Sequence, residues 1–298
     1  SPFFTSPFQD GGYDIADYKS IDARFGDMDD FEMLVQKAKR LNIRILLDLV
    51  IGHTSDQHFW FKQSQKAERN KYSDFYHWSD NCFESTSGIS IKGLSERDGA
   101  YMVNFFAFQP ALNYGYERVD KESQMHYTDP RLKPLRDEIS DIMRFWLKRG
   151  ASGFRVDMAS SLIKNNETGA GLKWLWNELI GNVKQEFPEA VFMAEWGNPS
   201  FSVGECGFDC DFLFHENKEY NDLFRNEPFD NVFRRLERGK NYFSSEGKGS
   251  VEDFLKLADK LSKAVEGCGY YALPSGNHDL IRVSHNKTDS ELAVAYAF

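Results

Sequence analysis

The stretch Ile43-Arg44-Ile45-Leu46-Leu47-Asp48-Leu49-Val50-Ile51 decides the fold. A nearly unbroken run of Ile, Leu and Val reads as a strand buried on both faces, as in parallel sheets covered by helices, and Gly52 ends it. Asp48 lies inside the run, and a charge there needs a partner. Immediately upstream, Phe31, Leu34, Val35, Ala38 and Leu41 recur at helical spacing after an Asp-rich start, with Asn42 placed to close a helix over 29–41.

The same alternation returns downstream. Leu135, Ile139, Ile142, Met143 and Trp146 predict a helix over 135–149, closed at Gly150 and followed by a strand at 153–157. Leu172, Leu175, Trp176, Leu179, Ile180, Val183 and Phe187 predict another, stopped by Pro188 and followed by a strand at 191–195. Further strands are expected at 209–214 and 270–274, with a helix at about 251–266.

Helix and strand in alternation argue for a parallel barrel or an open doubly wound sheet. A Gly-rich phosphate turn follows none of these strands, whereas polar residues sit at several strand ends, which favours the barrel. The strands at 43–51 and 153–157 lie about a hundred residues apart, too far for one helical crossover, so 54–133 is expected to be an inserted lobe. Residues 1–53 and 134–298 then form the barrel portion. Five strands plus a stub at Phe3 and Phe4 fall short of the eight that close a barrel, and Glu291 to Phe298 read as one more apolar helix. The chain is therefore expected to carry an incomplete barrel.

Composition narrows the function classes. An apolar content of 41% over 298 residues excludes wholesale disorder, and 36 basic against 46 acidic residues, net charge -10, argue against a nucleic-acid partner. Aromatic residues reach 15%, with clusters at Phe59, Trp60 and Phe61 and at Phe75, Tyr76 and Trp78. Such faces suit the C–H surface of a sugar ring, although most aromatic residues simply fill cores. Cys82, Cys206, Cys210 and Cys268 lack zinc-site spacing and read as thiols in a reducing compartment. The longest apolar runs fall short of a membrane span, and a secretory signal is not evident ahead of Ser1, so the expected location is cytoplasmic.

Four strand ends carry ionisable groups: Asp48 with His53, Arg155 with Asp157, Glu195, and Asn277 with His278 and Asp279. In a parallel barrel these ends share one face, so Asp157, Glu195 and Asp279 could surround one substrate. Neighbouring carboxylates separate one another's pKa values, which lets one act as an acid while another stays ionised. Each residue alone has a plainer reading as a loop cap, an ion-pair partner or a structural histidine. Four independent ends are harder to explain that way, and Arg155, two residues before Asp157, shares its strand face.

These segments resemble the short signature regions of the alpha-amylase superfamily, glycoside hydrolase family 13. They are Asp48-Leu-Val-Ile-Gly-His53, Gly153-Phe-Arg-Val-Asp157, Met193-Ala-Glu195 and Asn277-His-Asp279, in the family's order and spacing. Gln109-Pro-Ala-Leu-Asn113 is similar to the extra motif of the oligo-1,6-glucosidase and neopullulanase side. The resemblance implies a (β/α)8 TIM barrel with a lobe, domain B, inserted after its third strand. It also implies double displacement: Asp157 as nucleophile, Glu195 as general acid/base and Asp279 as transition-state stabiliser. Arg155 would orient Asp157 and pair with Asp48, while His53 and His278 would bond sugar hydroxyls.

Asp10-Gly-Gly-Tyr13 resembles the family segment whose Asp pairs with an Arg after the fourth region, here Arg282, and whose Tyr stacks on glucose. That pair closes the pocket in exo-acting members; the plainer reading is a surface turn and an unrelated arginine. Gly52, Ala111 and Ser161 stand where amylases place the Asn, Asp and His that bind a calcium ion, so no metal and no cofactor is expected there. Met158 matches neither the Val of 1,6-preferring relatives nor the Ala or Thr of 1,4-preferring ones.

The resemblance implies an exo-acting retaining alpha-glucosidase for short oligosaccharides or, by the same chemistry, a glucosyltransferase or isomerase of sucrose or trehalose. A non-catalytic relative, such as the ectodomain of an amino-acid transporter heavy chain, would lack part of the catalytic set. A metal-dependent barrel hydrolase is disfavoured because the seven histidines include no His-x-His pair.

Overall fold

The computed structural model describes residues 2–213, 217–224, 241–245, 247, 250–279, 282–284 and 287–297. They form two compact units, divided between Glu195 and Trp196.

The first unit opens with β1 (Phe4–Thr5) and β2 (Asp17–Ile21), paired antiparallel. α1 (Met28–Arg40) starts in a capping box: the Asp27 carboxylate accepts from the Asp29 and Asp30 amides, and Asp30 accepts from the Asp27 amide. The helix ends at Asn42, in the left-handed region with φ 57°. The Asn42 amide returns to Lys39 O at 3.1 Å and the Ile43 amide to Ala38 O at 2.9 Å, the paired bonds of a Schellman cap.

That cap corrects the expected strand. Ile43 is used by the helix end and is 56% exposed, so β3 spans only Leu46–Leu49. Between β3 and the next long helix lie α2 (Phe59–Ser64) and the antiparallel pair β4 (Ser90–Lys92) and β5 (Ala100–Met102). Edge-to-face rings knit this segment, with Phe61 5.0 Å from Tyr76 and 4.9 Å from Tyr101.

α3 (Lys133–Lys148) leads into β6 (Gly153–Val156), and α4 (Ala170–Lys184) leads into β7 (Val191–Ala194). The strands β3, β6 and β7 pair in parallel, with Asp48 opposite Arg155 and Arg155 opposite Met193. Gly153 makes the pairing possible. Its φ is 152°, and a Cβ there would stand 1.9 Å from Val191 O, so only glycine lets β6 and β7 approach. Trp146 anchors α3, packing edge-on against Phe31 at 5.1 Å and donating its indole N–H to Tyr18 O at 2.7 Å.

The second unit holds α5 (Pro199–Ser202), β8 (Cys210–Phe212), α6 (Lys218–Phe224), α7 (Val251–Val265), β9 (Tyr270–Ala272) and α8 (Asp289–Ala297). β8 and β9 pair in parallel. Leu213, Tyr220, Leu223, Phe254 and Leu261 form its core. Each predicted helix and strand has a counterpart, whereas β2, α2, β4, β5, α5 and α6 were not anticipated. They are short or polar: Asp17-Tyr-Lys-Ser-Ile21 has no apolar run to read.

Candidate active site

The strand ladder places the acidic residues. Asp157 follows β6 and its amide bonds Leu49 O at 3.0 Å; Glu195 follows β7 and its amide bonds Val156 O at 3.0 Å. Both carboxylates thus leave the carboxyl ends of adjacent parallel strands.

Arg155 joins them. Its guanidinium donates to Asp48 at 2.6 Å and to Asp157 at 3.0 Å, and also pairs with Glu195. The charge inside β3 is therefore partnered across the ladder, and Tyr13 adds a hydrogen bond from its hydroxyl to Asp48 at 2.8 Å. The Glu195 carboxylate also accepts from the Met158 amide at 2.9 Å. Met158 is left-handed, φ 47° and ψ 41°, an uncommon choice for a residue with a Cβ that turns its N–H back to Glu195. Trp176 of α4 braces this turn by donating to Ala159 O at 3.0 Å.

Electrostatics separates the members. Burial raises the Asp157 pKa well above the usual carboxylate value, and the charge of Glu195 adds to that, against the opposing pull of Arg155. Burial works against the Arg155 cation, yet Asp48, Glu195 and Asp157 together hold its pKa above the ordinary guanidinium value. Burial, reinforced by Asp48, likewise pushes the Tyr13 phenol up. Burial lowers His53 to about 4, so its ring is neutral at physiological pH. Nε2 of His53 lies 3.0 Å from Tyr13 O and Nδ1 lies 3.0 Å from the Asn104 amide nitrogen, which assigns the proton to Nε2. A sugar hydroxyl reaching His53 would have to replace one of these bonds.

The Asp10–Tyr13 turn is shaped by Asp14, which sequence reasoning passed over. The fully buried Asp14 carboxylate accepts from Ser6 Oγ at 2.9 Å and from the amides of Gln9 at 3.0 Å and Asp10 at 3.2 Å. Asp10 in turn accepts from the Gln109 side-chain amide at 2.7 Å, linking the turn to the Gln109–Asn113 motif. An Asp four residues after another, beside two glycines, was the available signal.

Lys164 was also missed. It donates to Ser161 O at 2.7 Å, and burial lowers its pKa to about 8. Gly52 stands close to Asn104 and Ser161, since a Cβ on it would meet the Asn104 amide nitrogen at 3.0 Å and Ser161 Oγ at 3.9 Å. Ala111 is fully buried and bridges His53. Among the described residues, no three His, Cys, Asp or Glu side chains gather as a metal site.

Asn277, His278, Asp279 and Arg282 belong to the second unit. The Asp279 amide bonds Asn277 Oδ1 at 2.9 Å, and His278 Nε2 lies 3.3 Å from the Asp279 carboxylate. Arg282 is exposed. In the same unit, Asp211 of β8 is fully buried and gathers the chain that follows Glu195. It accepts from the amides of Trp196, Gly197, Asn198 and Phe212 and from Ser202 Oγ, at 2.7–3.2 Å. A lone Asp in a short strand carried no signal of this role. Among the described residues, no helix is long and apolar enough to cross a membrane.

Comparison with known proteins agrees with this arrangement of parallel strands and helices. The chain is 38% identical over 314 residues to an oligo-1,6-glucosidase of Heyndrickxia coagulans, covering 95% of this chain and 52% of that protein. It is 34% identical over 233 residues to the trehalose synthase/amylase TreS of Mycolicibacterium smegmatis, covering 69% and 36%. Among solved structures it resembles an inactive double mutant of MutB, in complex with isomaltulose. The TM-score is 0.71 at 26% identity, over 97% of this chain and 51% of that one. The chain spans about half the length, or less, of the curated relatives it matches. Its fold class is α/β, a (β/α)8 barrel present in part. The family profile for the alpha-amylase catalytic domain matches residues 1–296, and the chain belongs to that family.

Proposed function

We propose that this chain is the catalytic portion of a retaining, exo-acting alpha-glucosidase that cleaves short oligosaccharides. The observation that carries the reading is Arg155, which holds Asp48, Asp157 and Glu195 together at the ends of adjacent strands. In this reading residues 54–133 are an inserted lobe and residues 1–53 and 134–298 the barrel portion.

The chemistry follows in two steps. A carboxylate oxygen of Asp157 attacks the anomeric carbon while the glycosidic C–O bond breaks, and Glu195 gives its proton to the leaving oxygen. Water then attacks the glucosyl ester, Glu195 takes back a proton, and Asp157 is released as a carboxylate. Two inversions give net retention. Asp279 would stabilise the positive charge that develops on the ring, and His278 would bond a hydroxyl of the same sugar. Arg155 favours the ionised Asp157 that attack requires, opposing the burial that favours its neutral form.

Asp10 and Arg282 would close the pocket beyond the non-reducing end, and Tyr13 would stack on the glucose. A second reading, transfer or isomerisation of sucrose or trehalose, draws support from the likeness to TreS and MutB. The glucosyl ester accepts a sugar hydroxyl by the same step as water. The test is to incubate the full-length protein with maltose, isomaltose, sucrose and trehalose and follow the first anomer and the products. Alpha-glucose as first product supports hydrolysis with retention, a rearranged disaccharide supports transfer, and beta-glucose would sink both.

A further inference from the structure

Lys164 takes no part in the chemistry above, and its amine is not set as a surface lysine's is. Lys19, Lys71, Lys133 and Lys263 each pair with a carboxylate at the surface. Lys164 donates instead to the backbone oxygen of Ser161 at 2.7 Å, and among the described residues no carboxylate forms an ion pair with it.

The same side chain lines a cavity of about 380 Å3. Ile89, Met102, Val103, Phe105 and Met158 give that cavity apolar walls, and Lys164 is the one ionisable side chain among the described residues that line it. An ammonium ion there has no counter-charge, and the walls displace part of its hydration, so the neutral amine gains. Burial accordingly lowers the Lys164 pKa to about 8. The buried His77 does not restore a counter-charge: burial, with the charge of Lys164 adding to it, holds the His77 pKa well below the usual value and its ring neutral.

A neutral amine can leave one N–H on Ser161 O and still present a lone pair. Lysines desolvated in apolar pockets attack carbonyl carbons and form Schiff bases. The volume, within the roughly 300–1,000 Å3 of small-molecule sites, leaves room for a short carbonyl compound. We propose that Lys164 is a carbonyl-reactive site that forms an imine with small aldehydes, open-chain aldoses among them. The amine nitrogen bonds the aldehyde carbon, its two hydrogens leave with the carbonyl oxygen as water, and a C=N bond remains. Protonation of the imine restores a donor for Ser161 O. The site stands whether or not Asp157 and Glu195 act as proposed above.

The test is to incubate the full-length protein with glyceraldehyde and cyanoborohydride, whose hydride traps the imine as a secondary amine, and to locate adducts by peptide mass spectrometry. At pH 7.5 a pKa of about 8 leaves roughly one amine in four unprotonated, against about one in a thousand for an ordinary lysine. Lower basicity and the cavity walls offset part of that advantage, so Lys164 should react about tenfold faster than the exposed Lys37 and Lys39. The ratio should narrow as pH climbs from 8 towards 10, because the surface amines deprotonate later. Lys164→Arg, which keeps the cation and a donor, should remove this adduct and leave the others. A rate at Lys164 no greater than at Lys37 and Lys39 overturns the inference, as does a ratio that stays constant with pH.

Discussion

The signature residues of the two units live in opposite surroundings. Asp157 and Glu195 keep side chains 10% and 9% exposed, behind a strand ladder and against one guanidinium. His278 and Asp279 are 50% and 53% exposed, in a turn organised by Asn277. Burial makes Asp157 unlike an ordinary carboxylate, raising its pKa against the pull of Arg155, whereas solvent screens an exposed ion pair to little effect. A motif names the residue type, and its environment decides the chemistry.

Variants can break this comparison. Asp157→Asn should cost the most, on the order of 10^4-fold or more in kcat, because the covalent step disappears. Single-turnover kinetics on an activated glucoside would check it, and a near-normal rate would remove Asp157 from the nucleophile role. Asp279→Asn should cost less, roughly 10^2- to 10^3-fold, as expected for one electrostatic stabiliser. An effect on KM alone would leave Asp279 a binding group.

Asp211→Ala sharpens the contrast from the structural side. It removes the shared acceptor of four amides and the buried Ser202 hydroxyl and should destabilise the protein by about 2–3 kcal/mol, read from denaturant unfolding. Arg282→Ala should weaken short substrates more than long internal-cleavage substrates; an equal loss on both would argue for an open cleft.

The smallest effect concerns pH. Since folding raises the Asp157 pKa, the native state binds more protons than the unfolded chain above the unfolded value near 3.8. Asp157 therefore lowers stability increasingly as pH rises through that window. Asp157→Asn should raise Tm at neutral pH by roughly 2 °C, and the gain should vanish as pH falls towards 4. A constant difference at all pH values would mean that the shift is absent.

Legibility differed by element. The helices around Leu135 and Leu172 announce themselves because one face repeats every three or four residues, and the strands at 153 and 191 because they are short apolar runs after helix stops. β2 and the β4–β5 pair were not legible, since their partners lie across loops and their residues are mixed. At the site, Asp48, Arg155, Asp157 and Glu195 could be picked out by type and spacing. Lys164 and Asp211 could not, because their importance lies in bonds to backbone groups that no side-chain pattern records, and Asp14 left only its place beside the Asp10 turn. Ile43 misled because an apolar residue after a helix serves either a strand or a cap.

By itself, the sequence determined the main alternation of helix and strand and the family, and singled out Asp48, Arg155, Asp157 and Glu195, because periodicity and local motifs are properties of neighbouring residues. Only the tertiary structure decided that one guanidinium serves three carboxylates and that Met158 turns its amide onto Glu195. The same holds for His53, kept neutral between Tyr13 and Asn104. Those outcomes depend on register and burial, which arise when distant segments are brought within a few ångströms in a medium that no longer screens charge.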